Sequence, residues 1–135
     1  MIPITQRESD DCLQAVVASL LHLPLADVPS FRGENWQANL NRWLAPWGLA
    51  YIQVKDFARW AIEFGIAGCH HELTGPSRAE RKQLHATVGV DGRLAHDPDP
   101  SRAGISAVRY SGIIIALRPW EAVERAGLVL REKAA

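Results

Sequence analysis

Cys12 heads an apolar run in the stretch QRESDDCLQAVVASLL (6–21), and Gln6 lies six positions upstream. A thiol at the start of a helix meets backbone N–H groups that lack an intrahelical partner, and the positive end of the helix dipole. Both favour thiolate over thiol, which is how a sulfur nucleophile is prepared. The thiolate needs a histidine to carry its proton, and the histidine needs a third group to orient it. Acyl transfer also needs donors for the developing oxyanion. The Gln6 side-chain amide can supply one, and the Cys12 backbone N–H another. The competing reading is a small buried cysteine that merely begins an ordinary helix. What decides is whether the chain also supplies a base.

There are five histidines. His22 lies at the far end of the Cys12 helix, roughly 15 Å away at 1.5 Å per residue, too far to serve. His70 and His71 are adjacent in a strand or loop and read as surface residues. His85 opens a strand in LHATVGV (84–90), and Asp97 follows RLAH (93–96) after an Asp91-Gly92 turn signal. Register decides whether they meet. A two-residue turn pairs Val90 with Arg93 and sends Asp97 to the face opposite His85. A three-residue loop, Val90-Asp91-Gly92 with a bulged left-handed glycine, pairs Gly89 with Arg93 and sets His85 opposite Asp97. That loop also gathers Leu84, Ala86, Val88 and Leu94 on one apolar face, so it is the register expected. Taken alone, His85 reads equally as a polar strand-edge residue and Asp97 as the start of an Asp-Pro turn.

The elements that position these residues follow from periodicity. Leu13, Val16, Val17, Leu20 and Leu21 give residues 12–23 one apolar helical face, with Ser9, Asp10 and Asp11 before it as capping oxygens. A second helix is expected over about 35–47, where Trp36, Leu40, Trp43, Leu44 and Trp47 share a face, more as core than as substrate platform. AYIQV (50–54) reads as a strand, DFARWAIEF (56–64) as a short helix, and VRYSGIIIALRP (108–119) as one or two strands. The polar segment 74–83 reads as a mobile loop, whose arginines could favour an acidic substrate. The tail from Trp120 reads as a short helix and then an exposed end. Helices first and strands afterwards imply an α+β domain.

Length, composition and charge narrow the classes. A chain of 135 residues suits one domain over 1–135. Apolar residues at 47% and charged ones at 22% suit a soluble globule. Fifteen basic and fifteen acidic residues cancel, leaving no electrostatic footprint for nucleic acid or an anionic membrane. No run is long enough for a membrane span and the N-terminus does not read as a signal peptide, so the expected location is cytoplasmic. Cys12 and Cys69 have no metal-ligand spacing, and in a reducing compartment they are not expected to pair. No metal and no cofactor is called for, and Cys69 reads as an inert thiol.

With these residues in place, the chain resembles the papain-like cysteine peptidase superfamily. The six-position step from Gln6 to Cys12 is similar to that superfamily's separation of oxyanion glutamine and nucleophile. QRESDDCLQAVVASLL looks most like the bacteriocin-processing (double-glycine leader) peptidases, and HATVGVDGRLAHDP looks like their His-strand-turn-strand-Asp-Pro segment. Small papain-like proteins of bacteria and phages are also similar, including an HDPxPS segment, here His96 to Ser101. The likeness covers roughly residues 4–24 and 84–104, under a third of the chain. Leu13 stands where the leader peptidases commonly have glycine, and no attached transporter domain is read.

The resemblance implies a compact papain-like fold, with N-terminal helices packed on a C-terminal antiparallel sheet. It implies a Cys12–His85–Asp97 triad, an oxyanion hole from Gln6 and the Cys12 N–H, and a peptide or protein substrate. Asp11, Leu13 and Trp36 are the candidate cleft residues, Asp11 reading first as a helix cap. Two alternatives share the chain's features. One is a papain-fold enzyme using the same acyl-thioester for deamidation, transglutamination, or isopeptide or amide cleavage. The other is a non-catalytic binding module, against which the full quartet of residues argues.

Overall fold

The structure is a computed structural model. It describes residues 1–8, 10–80 and 83–134, with side chains through residue 127. Ser9, Arg81 and Lys82, to which sequence reasoning gave capping and loop roles, lie outside the described residues.

Helix α1 spans Cys12–Leu21 and α2 spans Trp36–Leu44, with single 3-10 turns at Leu25–Asp27 and Ala45–Trp47. Strand β1 (Leu49–Val54) and helix α3 (Phe57–Glu63) follow, then β2 (His70–Pro76), β3 (Leu84–Val90), β4 (Arg93–His96), β5 (Tyr110–Ala116) and α4 (Pro119–Ala134). The five strands form one antiparallel sheet in the order β1-β5-β2-β3-β4. The fold is α+β, as expected, but its halves are not fully segregated. β1 comes before α3 and pairs with the last strand, β5.

α1 runs through the middle of the protein. Ala15, Val16, Val17, Ala18 and Ser19 are all buried, so the helix is enclosed all round rather than on one stripe. Val16 packs on Ala86 and Val88 of β3. Ala15, Val17 and Ala18 meet Leu25, Val28, Phe31, Leu40, Leu44 and Tyr51 on the other side. The small Ala15 and Ser19 let the N-terminal segment close over the helix. The Ser19 hydroxyl donates to the Ala15 carbonyl (2.8 Å) and accepts from the Ile4 N–H (3.0 Å). His22, left-handed at φ 57°, ends the helix.

β2 is the strand that the sequence conceals. It runs to Pro76, where a loop over 74–83 was expected, and residues 71–75 are buried. Its polar side chains are satisfied internally. The Glu72 carboxylate takes hydrogen bonds from Tyr51 Oη and from Thr74 Oγ1 (2.6 Å). Gly112 of β5 lies beneath that contact, where a Cβ would collide with both Glu72 and the Tyr51 ring. Position 75 in this strand must be glycine, because the Ala107 carbonyl lies against it and leaves no room for a Cβ.

His71 also departs from the surface role expected of it. It is fully buried, stacked edge-on against Phe57 at 4.8 Å, while His70 is exposed. The C-terminal helix is longer than the short one expected, at 16 residues. No helix among the described residues is long and apolar enough to cross a membrane.

Candidate active site

Cys12 is the first residue of α1, so its N–H has no acceptor inside the helix. It packs against the cluster of Val16, Ala86 and Val88, and Ala86 adjoins His85 on β3. His85 is 6% exposed and Asp97 4%, and His85 Nε2 donates to Asp97 Oδ1 at 2.6 Å. Asp97 is fixed independently of the histidine. Its Oδ1 also accepts from the Asp99 N–H (2.9 Å), and its Oδ2 from the Gly104 N–H (2.7 Å). Both carboxylate oxygens are acceptors, so Nε2 of His85 carries a proton and Nδ1 is the nitrogen left for Cys12.

The electrostatics fit that pairing. Burial by itself would lower the His85 pKa. Hydrogen bonding to Cys12 and Asp97, with their charges, outweighs burial and raises it to about 9. The histidine therefore holds a proton more readily than an ordinary imidazole.

His85 and Asp97 meet, but not through the register expected. The turn is the two-residue one: Val90 pairs with Arg93, and Asp91 and Gly92 both have positive φ (52° and 85°), as a type I′ turn requires. The bulge lies further along. Gly89 faces Leu94 while Val88 faces His96, which leaves Ala95 extra on β4. One extra residue reverses the alternation of sides, so Asp97 returns to the side of His85. The apolar face inferred from the other register is also incomplete. Ala86 and Val88 are buried, but Leu84 and Leu94 are each 48% exposed.

Gln6 is buried (5% exposed) and stitched to the same segment, its N–H donating to the Pro98 carbonyl at 2.9 Å. The neighbouring bonds run alike. His96 Nε2 meets the Ile4 carbonyl (2.8 Å), and Arg102 reaches Thr5 Oγ1 (2.7 Å) as well as the Asp97 and Asp99 carbonyls. The HDPxPS segment thus orients the histidine on one side and holds the glutamine on the other. Gln6 Nε2 donates one proton to the Glu8 carbonyl (2.9 Å), which leaves its second for another acceptor. Gln6 Oε1 is buried, without a hydrogen-bond partner among the described residues.

Three candidate cleft residues have other duties. Asp11 occupies the N-cap position but makes no side-chain cap bond, and its carboxylate goes to Arg32 at 2.8 Å instead. Leu13 packs inward against both core clusters. Trp36 stands edge-on to Tyr51 at 5.5 Å and packs on the α1–α2 core. Of the three tryptophans given a shared core face, Trp47 is 46% exposed. In the segment before His85, Arg78 is tied to the Ile105 carbonyl (3.0 Å). A shallow hollow beside His85 is lined by Ser77, Glu80, Gln83 and Asp99. A larger cavity, at Leu21 and Trp47, lies at the opposite end of α1 from Cys12.

Two residues near Cys12 had no sequence signal. Tyr110 pairs across the sheet with Thr74, and Thr74 with Ala86, so a row of side chains leads from β5 to the strand beneath Cys12. Arg32 caps the acidic loop before Cys12. Glu8, Asp10 and Asp11 put carboxylate oxygens within 4.8 Å of one another, close enough to share a cation. The Arg32 guanidinium lies against all three. Cys69 is a free thiol, its pKa pushed up by burial and by Asp91.

Comparison with protein-family models, with curated proteins and with solved structures returns no match. The site's own chemistry therefore carries the functional argument.

Proposed function

We propose that this protein is a papain-like cysteine peptidase that hydrolyses peptide or protein substrates through a Cys12–His85–Asp97 triad. The observation that carries the reading is the buried His85–Asp97 pair, joined to a cysteine at a helix N-terminus. A histidine serving structure alone has no need of a carboxylate on one nitrogen and a thiol on the other.

The geometry supports the following sequence. His85 Nδ1 takes the Cys12 proton, forming thiolate and imidazolium, and Asp97 stabilises the imidazolium through Nε2. The thiolate attacks the scissile carbonyl carbon, and the carbonyl electron pair moves onto oxygen. The free Gln6 Nε2 proton and the Cys12 N–H receive that oxyanion. Collapse expels the amine, which takes the proton from His85 and leaves a thioester on Cys12. Water, giving its proton to His85, attacks the thioester and frees the acid and the thiol.

The test is incubation with a mixed peptide library and mass spectrometry of the products. New peptide termini with the wild type, absent with Cys12→Ala, are the expected result. Glutamine-to-glutamate conversion without new termini would replace the peptidase with a thiol amide hydrolase. An absence of both products, with Cys12 inert to iodoacetamide, would end the catalytic reading.

A further inference from the structure

The Arg32 side chain reaches from outside onto the loop between the oxyanion glutamine and the nucleophile. We infer that Arg32 is a positioning residue that sets the Gln6–Cys12 loop in the geometry the oxyanion hole requires; this rests on the function proposed above. Arg32 is itself well placed to act as an anchor. Phe31, its neighbour, is buried against Trp43 with ring centroids 5.7 Å apart, and Val28 is fully buried. Gln14, in the first turn of α1, donates its side-chain amide to the Leu25 and Val28 carbonyls at 3.1 and 2.5 Å. The segment bearing Arg32 is thus fastened to the helix that bears Cys12.

From that anchor the guanidinium forks onto the loop. Nη1 and Nη2 reach the two Asp10 oxygens at 2.8 and 3.0 Å, a bidentate contact. Nη2 also reaches Asp11 Oδ1 at 2.8 Å and lies 3.8 Å from Glu8 Oε2. Asp11 is the residue before Cys12, so its position fixes the direction of the Cys12 N–H. The Glu8 carbonyl accepts from both Gln6 Nε2 (2.9 Å) and the Asp11 N–H (3.2 Å). One peptide oxygen therefore ties the Gln6 amide to the residue before Cys12, and Arg32 lies against Glu8, Asp10 and Asp11 of the same turn. Without Arg32, three carboxylates would repel one another across this turn.

Two chemical probes separate the positioning role from a general loss of structure or of thiolate. Alkylation by iodoacetamide is a direct displacement and forms no oxyanion. Acylation by p-nitrophenyl acetate passes through one. Both rates are measured in a Cys69→Ser background for wild type, Arg32→Ala, Arg32→Lys and Gln6→Ala, with folding checked by thermal melting. Gln6→Ala sets the standard, a fall in acylation of about 10²-fold relative to alkylation. Arg32→Ala is expected to lower the same ratio about 10-fold or more. Arg32→Lys keeps the charge but not the fork, and should also lower the ratio while keeping wild-type alkylation. Wild-type ratios in both Arg32 variants, or an equal fall in both rates, would overturn the inference. A wild type inert to both probes would instead overturn the proposed function.

Discussion

The two ends of the β2–β3 pair each bury a histidine, and the two are treated in opposite ways. At one end His85 lies between a thiol and a carboxylate, and its pKa rises to about 9. At the other end His71 donates from Nδ1 to the Glu72 carbonyl (2.7 Å) and accepts the Gly92 N–H on Nε2 (2.8 Å). Burial lowers its pKa, and its backbone partners are fully served by the neutral ring. Gly89 sits opposite it because a Cβ there would press on the imidazole. His71 fastens the Asp91-Gly92 turn to β2, and His85 addresses a sulfur. Burial is common to both. The partner decides: ionisable groups make a histidine a proton carrier, whereas backbone dipoles make it a strut.

The sharpest way to break this contrast is to remove each ring. His85→Ala should lower peptide turnover and acylation by about 10²- to 10⁴-fold, read as initial rates, while the variant still melts cooperatively. His71→Ala should do the converse. Losing a fully buried ring and the acceptor for Gly92 should cost about 2–4 kcal/mol in denaturant unfolding, with activity per folded molecule retained. Equal losses of activity from the two substitutions would dissolve the distinction.

Asp97→Asn tests the carboxylate. Both Asp97 oxygens accept protons, so an amide must turn its NH₂ toward either Gly104 N–H or His85. A loss of about 1–3 kcal/mol is expected, together with slower acylation. The pH dependence separates the two ends by sign. His85 has its folded pKa raised above the ordinary value near ~6.5, so its contribution to stability is full below that pH and is lost as pH rises through about 9. His71 has its folded pKa lowered, so its contribution is present above ~6.5 and is lost as pH falls. Melting temperatures across pH 5–10 should decline on the alkaline side less steeply in His85→Ala, and on the acid side less steeply in His71→Ala. Asp91→Ala has the smallest expected effect. It removes the carboxylate that accepts the Gly68 and Cys69 N–H groups (2.9 and 2.8 Å), and should lower the melting temperature slightly without altering Cys12 alkylation.

How far each end could be read from sequence follows the same division. Cys12, Gln6, His85 and Asp97 could be singled out as candidates because thiol, amide, imidazole and carboxylate are residue types with distinct chemistry, and α1 is marked by its apolar periodicity. β2 was not legible. A central strand built from His71, Glu72, Thr74, Gly75 and Pro76 offers neither alternation nor an apolar run, because its polar groups are paired with one another and with Tyr51. The hairpin register was misread because the bulge sits at Ala95, inside the strand, where no glycine or turn residue marks it. Arg32 was invisible because its partners are 21 to 24 positions away and only the folded loop brings them together.

The central claim is that Cys12 and His85 share one proton as a working pair. Its most direct test is the pH dependence of Cys12 alkylation by iodoacetamide, in the Cys69→Ser background, with and without His85→Ala. The account predicts fast labelling that persists well below pH 7 and is lost when His85 is removed. Labelling that rises only near pH ~8.5, the range of an ordinary thiol, and is indifferent to His85 would contradict it.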